Sequence, residues 1–172
     1  MTARARVLLV SDTHGAVDAR IVQLTSRCDY VVHAGDIGNG EVLHELGAVA
    51  VVLAVRGNND TPAKWPTGER EFLHDLPEQL TLDLPGGALV VTHADRIRPA
   101  NKRHERLRRL YAQARAVVYG HTHRLTTDCE RLPWVLNPGA GGRVRTYGGP
   151  SCLILEAGKR GWSVQTVRFA SD

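Results

Sequence analysis

The fold turns on one stretch, Ala116-Val117-Val118-Tyr119-Gly120-His121-Thr122-His123. Its first four residues read as a short buried strand, and the glycine ends it. The two imidazoles that follow stand two residues apart on a loop leaving that strand, where both can converge on one metal ion. A His-x-His pair taken alone is as well explained by two surface histidines on a turn. Its weight comes from four other strand ends that also finish in residues of ligand type.

Those strands lie toward the N-terminus. Val7-Leu8-Leu9-Val10 is continuously apolar, as expected of a strand covered on both faces, and breaks into Ser11-Asp12-Thr13-His14-Gly15. A helix carrying Val17, Ile21, Val22 and Leu24 and ending near Arg27 is expected next. Tyr30-Val31-Val32-His33 breaks into Ala34-Gly35-Asp36-Ile37-Gly38-Asn39, and a short helix over 41–46 is stopped by Gly47. A third strand, 49–55, breaks into Arg56-Gly57-Asn58-Asn59-Asp60. This is a repeated β-loop-α rhythm, and in open α/β sheets ligands bind beyond the carboxyl ends of the strands. The glycines allow tight turns, so that the side chains beside them can face inward.

Residues 61–78 read as a loop with one helical turn. Leu80–Leu84 and Ala88–Thr92 form a hairpin about Pro85-Gly86-Gly87, ending at His93. Asn101–Arg115 reads as an amphipathic helix with Leu107, Leu110, Tyr111 and Ala114 on one stripe. Beyond the two-histidine loop, antiparallel strands are expected around Thr126–Glu130, Trp134–Leu136, Ser151–Glu156 and Trp162–Phe169, the last two joined by a hairpin loop over 157–161. No linker, repeat or low-complexity segment interrupts the chain, and its 172 residues suit one domain, 1–172.

The bulk composition narrows the class. A net charge of +4 and a pI near 9.2 fit an anionic substrate without selecting one. Cys28, Cys129 and Cys152 are odd in number and widely spaced, which suits reduced thiols of a cytoplasmic protein rather than a disulfide frame. The apolar runs are too short for a signal peptide or a membrane span, so no membrane partner is expected.

Collected together, the strand ends offer Asp12, His14, Asp36, Asn58, His93, His121 and His123. One structural zinc needs about four ligands, fewer than this set supplies. The absence of cysteine from the set argues against iron–sulfur clusters and zinc fingers. Mixed imidazole and carboxylate donors suit Mn²⁺, Fe²⁺, Zn²⁺ or Ni²⁺, and the number divides into two ions sharing one carboxylate. Two ions roughly 3.5–4 Å apart form the clamp used to hydrolyse phosphate esters.

The ordered blocks Asp12-x-His14, Gly35-Asp36, Gly57-Asn58, His93 and Gly120-His121-x-His123, with the late turn Asn137-Pro138-Gly139, resemble the calcineurin-like metallophosphoesterase superfamily. Within it the chain is similar to the small single-domain bacterial and archaeal phosphodiesterases. The resemblance implies two mixed β-sheets packed as a sandwich with helices outside. It also implies a first metal on Asp12, His14, Asp36 and His123, and a second on Asp36, Asn58, His93 and His121. Manganese comes first among the candidate metals. The substrate implied is a small phosphate diester.

Three positions depart from the family pattern. Many members carry histidine after the metal-binding asparagine, thought to act on the leaving group; here it is Asn59, which can hydrogen-bond a phosphoryl oxygen but cannot deliver a proton at neutral pH. Ala94-Asp95 follows His93 where relatives show Gly-His, making the nearby pocket more anionic. Ala140 replaces a serine of the late turn.

Other residues carry two readings each. Arg56 contacts phosphate or pairs with a carboxylate. Asp60 orients the asparagine loop or is a plain turn aspartate. His33 reads as a hydrogen-bonded core histidine, and His44, His74 and His104 as surface residues without partners. Residues 96–115 hold eight basic side chains against one acid, Glu105, so the basic character of the chain is local. The bland reading of that segment is the solvated face of a helix, because Tyr111 lies on the apolar stripe rather than among the charges. A nucleic-acid partner is therefore not favoured, although a nuclease aided by Arg106, Arg108 and Arg109 is a rival. The other rival is a metal-containing scaffold, since the superfamily includes the retromer subunit. A homodimer or tetramer is expected by analogy alone.

Overall fold

The computed structural model describes residues 4–171; residues 1–3 and 172, part of the domain expected from the sequence, lie outside the described residues. Strands β1 (Arg4–Val10), β2 (Tyr30–His33) and β3 (Val51–Ala54) run parallel to one another. A second sheet holds β4 (Gln79–Leu84), β5 (Gly87–Thr92), β6 (Ala116–Tyr119), β7 (Thr126–Asp128) and β8 (Trp134–Asn137). Strands β9 (Ser151–Gly158) and β10 (Gly161–Arg168) return to the first sheet, giving the orders β10-β9-β1-β2-β3 and β4-β5-β6-β8-β7.

The continuous apolar runs are explained by burial on both faces. Val7, Leu9, Val32, Val91, Val118 and Leu136 point into the layer between the sheets. Their neighbours point outward: Leu8, Val10 and Val31 under the helices of the first sheet, Val90 and Val117 under the helix of the second. The first sheet is covered by α1 (Ala19–Leu24), α2 (Gly40–Leu46) and α3 (Phe72–Asp75), with Ile21, Val42, Leu46 and Leu73 in contact with that outward set. The second is covered by α4 (Arg103–Leu110), through Leu107. The sandwich of two mixed sheets flanked by helices is thus as expected.

Several local expectations are corrected. The helix read through Arg27 is α1 followed by a 3₁₀ turn over Thr25–Arg27. Residues 61–78 hold a 3₁₀ turn and α3, and Trp65 is buried against the first sheet. Trp134–Asn137 is antiparallel to β7 but parallel to β6.

The amphipathic helix is much shorter than 101–115. Residues 112–115 are spent on entering β6, where Arg115 N–H donates to Ala88 C=O at 2.9 Å. Leu110, expected on the apolar stripe, is 60% exposed. Two arginines take inward places instead. Arg108 is buried, its Nε donating to Pro133 C=O at 3.0 Å and its Nη2 lying 2.5 Å from Asp128 Oδ1. Arg103 is buried beneath the same helix. The segment is therefore not simply a solvated face: long cationic side chains fill space that the stripe leaves.

Candidate metal centre

All seven strand-end residues meet at one edge of the sandwich. Asp12 and His14 follow β1, Asp36 follows β2 and Asn58 follows β3, while His93 follows β5 and His121 and His123 follow β6. The two sheets therefore contribute opposite walls of one site. Asp12, Asp36, His93 and His123 are buried, His14 and His121 half-buried, and Asn58 exposed.

The hydrogen bonds fix which atoms face inward. His93 Nδ1 donates to Ala34 C=O at 2.8 Å, which turns the lone pair of Nε2 toward Asp36 Oδ2 at 3.4 Å and Asn58 Oδ1 at 3.1 Å. His123 Nδ1 donates to Val144 C=O at 2.9 Å, leaving Nε2 3.1 Å from His14 Nε2 and 3.5 Å from Asp12 Oδ1. His121 Nδ1 lies 3.1 Å from Asn58 Oδ1. With Nδ1 of His93 and of His123 engaged by carbonyls, their Nε2 lone pairs face other acceptors, Asp36 Oδ2 and Asn58 Oδ1 for His93 and Asp12 Oδ1 for His123, an arrangement that a cation or a shared proton satisfies. The donor set, oxygen and imidazole nitrogen without sulfur, fits divalent transition metals.

Protonation follows the same crowding. Burial lifts the Asp12 carboxyl to about 7, despite the opposing charge of His93. Burial acts on Asp36 in the same direction, but His93 and both N–H groups of Asn59 outweigh it and hold this carboxyl well below the usual range. His93 is buried too, yet the Asp36 carboxylate raises it to about 9. Burial, with the charge of Arg145, lowers His123 to about 4, and burial also lowers His14 and His121.

The backbone is bent to make this convergence. Asp12, His14, Asp36, His121 and His123 all have φ between 48° and 70°. Left-handed conformations at non-glycine residues cost on the order of 1–3 kcal/mol each and persist where the surroundings over-determine them. Gly35, at φ 93°, makes the tight turn expected, whereas Gly57 and Gly120 serve a different end. A Cβ on Gly57 would lie 2.3 Å from Asp36 N and Oδ1, and one on Gly120 would lie 2.7 Å from Ala34 O and 3.0 Å from Asp12 Oδ2. They let three loops touch.

The remaining expected residues act at one remove. Asn59 is taken up by Asp36: its N–H donates to Oδ1 at 2.8 Å and its Nδ2 to Oδ2 at 2.6 Å. One N–H of its amide is thus committed to the carboxylate. Asp60, buried, accepts from Ile37 N, Gly38 N, Gly57 N and Trp65 Nε1, so it ties the Asp36 and Asn58 loops together and is more than a turn residue. Arg56 is half-buried on a cleft of about 370 Å³ shared with Asn58, His93, Asp95 and Glu78. The Asn137 amide braces the two-histidine loop, donating to Gly120 C=O at 3.0 Å and Thr122 Oγ1 at 2.9 Å. Ala140 is buried beside it.

His33 is the buried core residue expected. Gly35 N–H donates to its Nδ1 at 3.2 Å, so Nε2–H faces Thr13 Oγ1 at 2.9 Å, and that hydroxyl donates to Ile37 C=O. His44 and His74 are exposed, as expected. His104 is not: its Nδ1 lies 2.8 Å from Asp128 Oδ2 and its Nε2 2.9 Å from Tyr119 Oη. Two residues escaped the sequence reading. Arg145 donates from Nη2 to His123 Nε2 at 3.0 Å, and Lys64 donates to Asn59 Oδ1. Their sequence signals are weak: one basic residue in the glycine-rich 139–149 loop, another in an irregular segment.

Comparison with known proteins agrees with this geometry. The model of the calcineurin-like phosphoesterase superfamily domain matches residues 6–160. A probable metallophosphoesterase of Methanocaldococcus jannaschii is 30% identical over 141 residues, which span 77% of this chain and 66% of that protein. The chain thus covers slightly under two-thirds of that relative. Vacuolar protein sorting 29 from Cryptosporidium parvum superposes with a TM-score of 0.73 at 20% identity, covering 98% of this chain and 100% of the other. An archaeal phosphodiesterase superposes with a TM-score of 0.68 at 21% identity, covering 94% and 99%. At those identities the two structures speak for the fold alone.

Proposed function

The chain belongs to the calcineurin-like phosphoesterase superfamily, and from that premise we propose that it is a dinuclear metal-dependent phosphodiesterase acting on a small phosphate diester. The family implies divalent metal ions. The observation that carries the finer reading is the meeting of four imidazoles, two carboxylates and an amide oxygen with their lone pairs turned inward.

The first ion falls to Asp12, His14, Asp36 and His123, the second to Asp36, Asn58, His93 and His121. Asp12 stands close to both groups: with His14 and His123, and with Asp36 and His93. Asp36 is nevertheless the better bridge. Its Oδ2 lies 3.8 Å from His14 Nε2 and 3.4 Å from His93 Nε2, one from each set. Manganese suits the mixed donors, with iron, zinc or nickel as alternatives. Bound there, such ions supply Lewis acidity toward water and the phosphate oxygens.

The chain's own groups do the rest. Asn59 holds the Asp36 carboxylate in place. Arg145, beside His123, supplies a positive charge for a phosphate oxygen. Asn59, not histidine, follows Asn58 in the chain, so either esters with good leaving groups are preferred or metal and water take the acid's role.

The test is metal analysis joined to hydrolysis of bis(p-nitrophenyl) phosphate and p-nitrophenyl phosphate. Two ions per chain and faster cleavage of the diester are expected, and His93→Ala should lose one ion and, with it, the cleavage. A manganese-loaded protein inert toward a broad panel of phosphate esters would instead favour the scaffold. The nuclease reading is weakened by the inward course of Arg108, whose neutralisation would disturb folding rather than nucleic-acid contact.

A further inference from the structure

Beside His121 lies a second cleft, of about 580 Å³, lined by Asp95, Arg98, Pro99, Ala100, Arg103 and His121. Arg103 is 8% exposed. Its Nε is wholly buried without a hydrogen-bond partner. No carboxylate among the described residues lies within ion-pair distance of its guanidinium; Asp95 shares the cleft wall without pairing to it. Its recorded neighbour is the ring of Tyr119, 5.9 Å from the guanidinium carbon. Buried cations are ordinarily paired, because an uncompensated charge in a low-dielectric setting is strongly unfavourable. Arg108, one turn further along α4, shows the ordinary case, with Pro133 and Asp128 as partners. Arg103 has the burial without the partners.

We propose that Arg103 is the anchor of a second anion subsite, taking a phosphoryl group on one arm of the substrate while the scissile phosphate sits at the metal centre. This rests on the phosphodiesterase reading and adds a substrate class to it: diesters bearing a further phosphate. Three features fix that chemistry. The cleft adjoins His121, so one molecule can span an anion held there and a phosphate at the metal centre. A guanidinium presents paired donors that match phosphate oxygens. Arg98, exposed on the same wall, adds a second positive charge at the entrance.

The experiment pairs two substrates, the p-nitrophenyl ester of thymidine 5′-phosphate and the same ester carrying a 3′-phosphate. The protein as isolated should prefer the 3′-phosphorylated ester by about tenfold or more in kcat/KM, mainly through KM. Arg103→Met should abolish that preference while changing the simple ester by less than about threefold. Absence of the preference in a parent protein that cleaves the simple ester, or its survival in Arg103→Met, overturns the proposal. Calorimetric titration with inorganic pyrophosphate after chelator treatment gives a readout independent of catalysis. Binding should weaken about tenfold in Arg103→Met and less in Arg103→Lys, which keeps the charge; equal binding in all three refutes the subsite. Should Arg103→Met fail to fold, Arg98→Gln replaces it, with a smaller loss of pyrophosphate binding expected and no loss counting against the proposal. If no ester is cleaved yet pyrophosphate binding depends on Arg103, the phosphodiesterase reading fails and the anion subsite stands.

Discussion

The two sheets furnish the metal centre unequally. Loops after β1, β2 and β3 bring both carboxylates, the amide oxygen and one imidazole, whereas loops after β5 and β6 bring imidazoles alone. The first sheet therefore sets the negative charge of the site; its own Asn59 holds the Asp36 carboxylate, and Asp60 ties the loops that carry Asp36 and Asn58. The second sheet sets direction: His93 is aimed by Ala34 C=O, which belongs to the opposite sheet. Charge is provided locally, while aim is provided across the sandwich.

The sharpest way to break this contrast is to remove one group from each side. Asp36→Asn takes away the shared anion and should lower hydrolysis of an activated diester by about 10³-fold or more, with loss of both ions. His121→Gln should release only one ion and retain more activity. Equal losses, by metal content and steady-state rates, would show that the two walls are equivalent. Next in size is Asp60→Asn, which places an N–H group among backbone N–H donors at Gly57 and Ile37. A fall of about 10–100-fold in metal affinity is expected, measured by competition with a chelating dye. An unchanged affinity would mean that the Asp36 and Asn58 loops hold themselves.

A smaller effect concerns His33, lowered by burial from 6.5 to about 4. Because folding depresses this pKa, the unfolded chain takes up the proton first. Stability from this group is therefore constant above pH 6.5 and declines as pH falls toward 4. The decline by pH 5 is on the order of 1–2 kcal/mol, seen as a shallower pH dependence of the denaturation midpoint in His33→Gln. The smallest effect belongs to the outer face of α4, where Arg109 and Glu105 form an exposed pair 3.1 Å apart. Arg109→Gln should change stability by less than about 0.5 kcal/mol in thermal unfolding.

Much of the site was legible because strand ends are punctuated. Val7–Val10, Tyr30–His33 and Ala116–Tyr119 are uninterrupted apolar runs, and each stops at residues with lone pairs to offer. What escaped lies where periodicity is silent. Arg145 and Lys64 reach the site from irregular segments, so no repeat in the sequence marks them. Arg103 and Arg108 were hidden for a different reason. Lysines and arginines on a helix read as solvated by default, and only the length of α4 and the position of Asp128 and Tyr119 decide which of them turn inward.

The sequence by itself determined most of the strands and the order of their ligand-bearing ends, because apolar runs and chain-breaking residues are local properties of the polypeptide, and the resemblance of those ordered blocks pointed to the family. Only the tertiary structure decided that seven side chains scattered from residue 12 to residue 123 share one pocket, since that depends on Gly57 and Gly120 letting separate loops touch. It also decided which nitrogen of His93 and of His123 points inward. Those choices are made by carbonyls far away in the chain, at Ala34 and Val144, that no local pattern could pair with them.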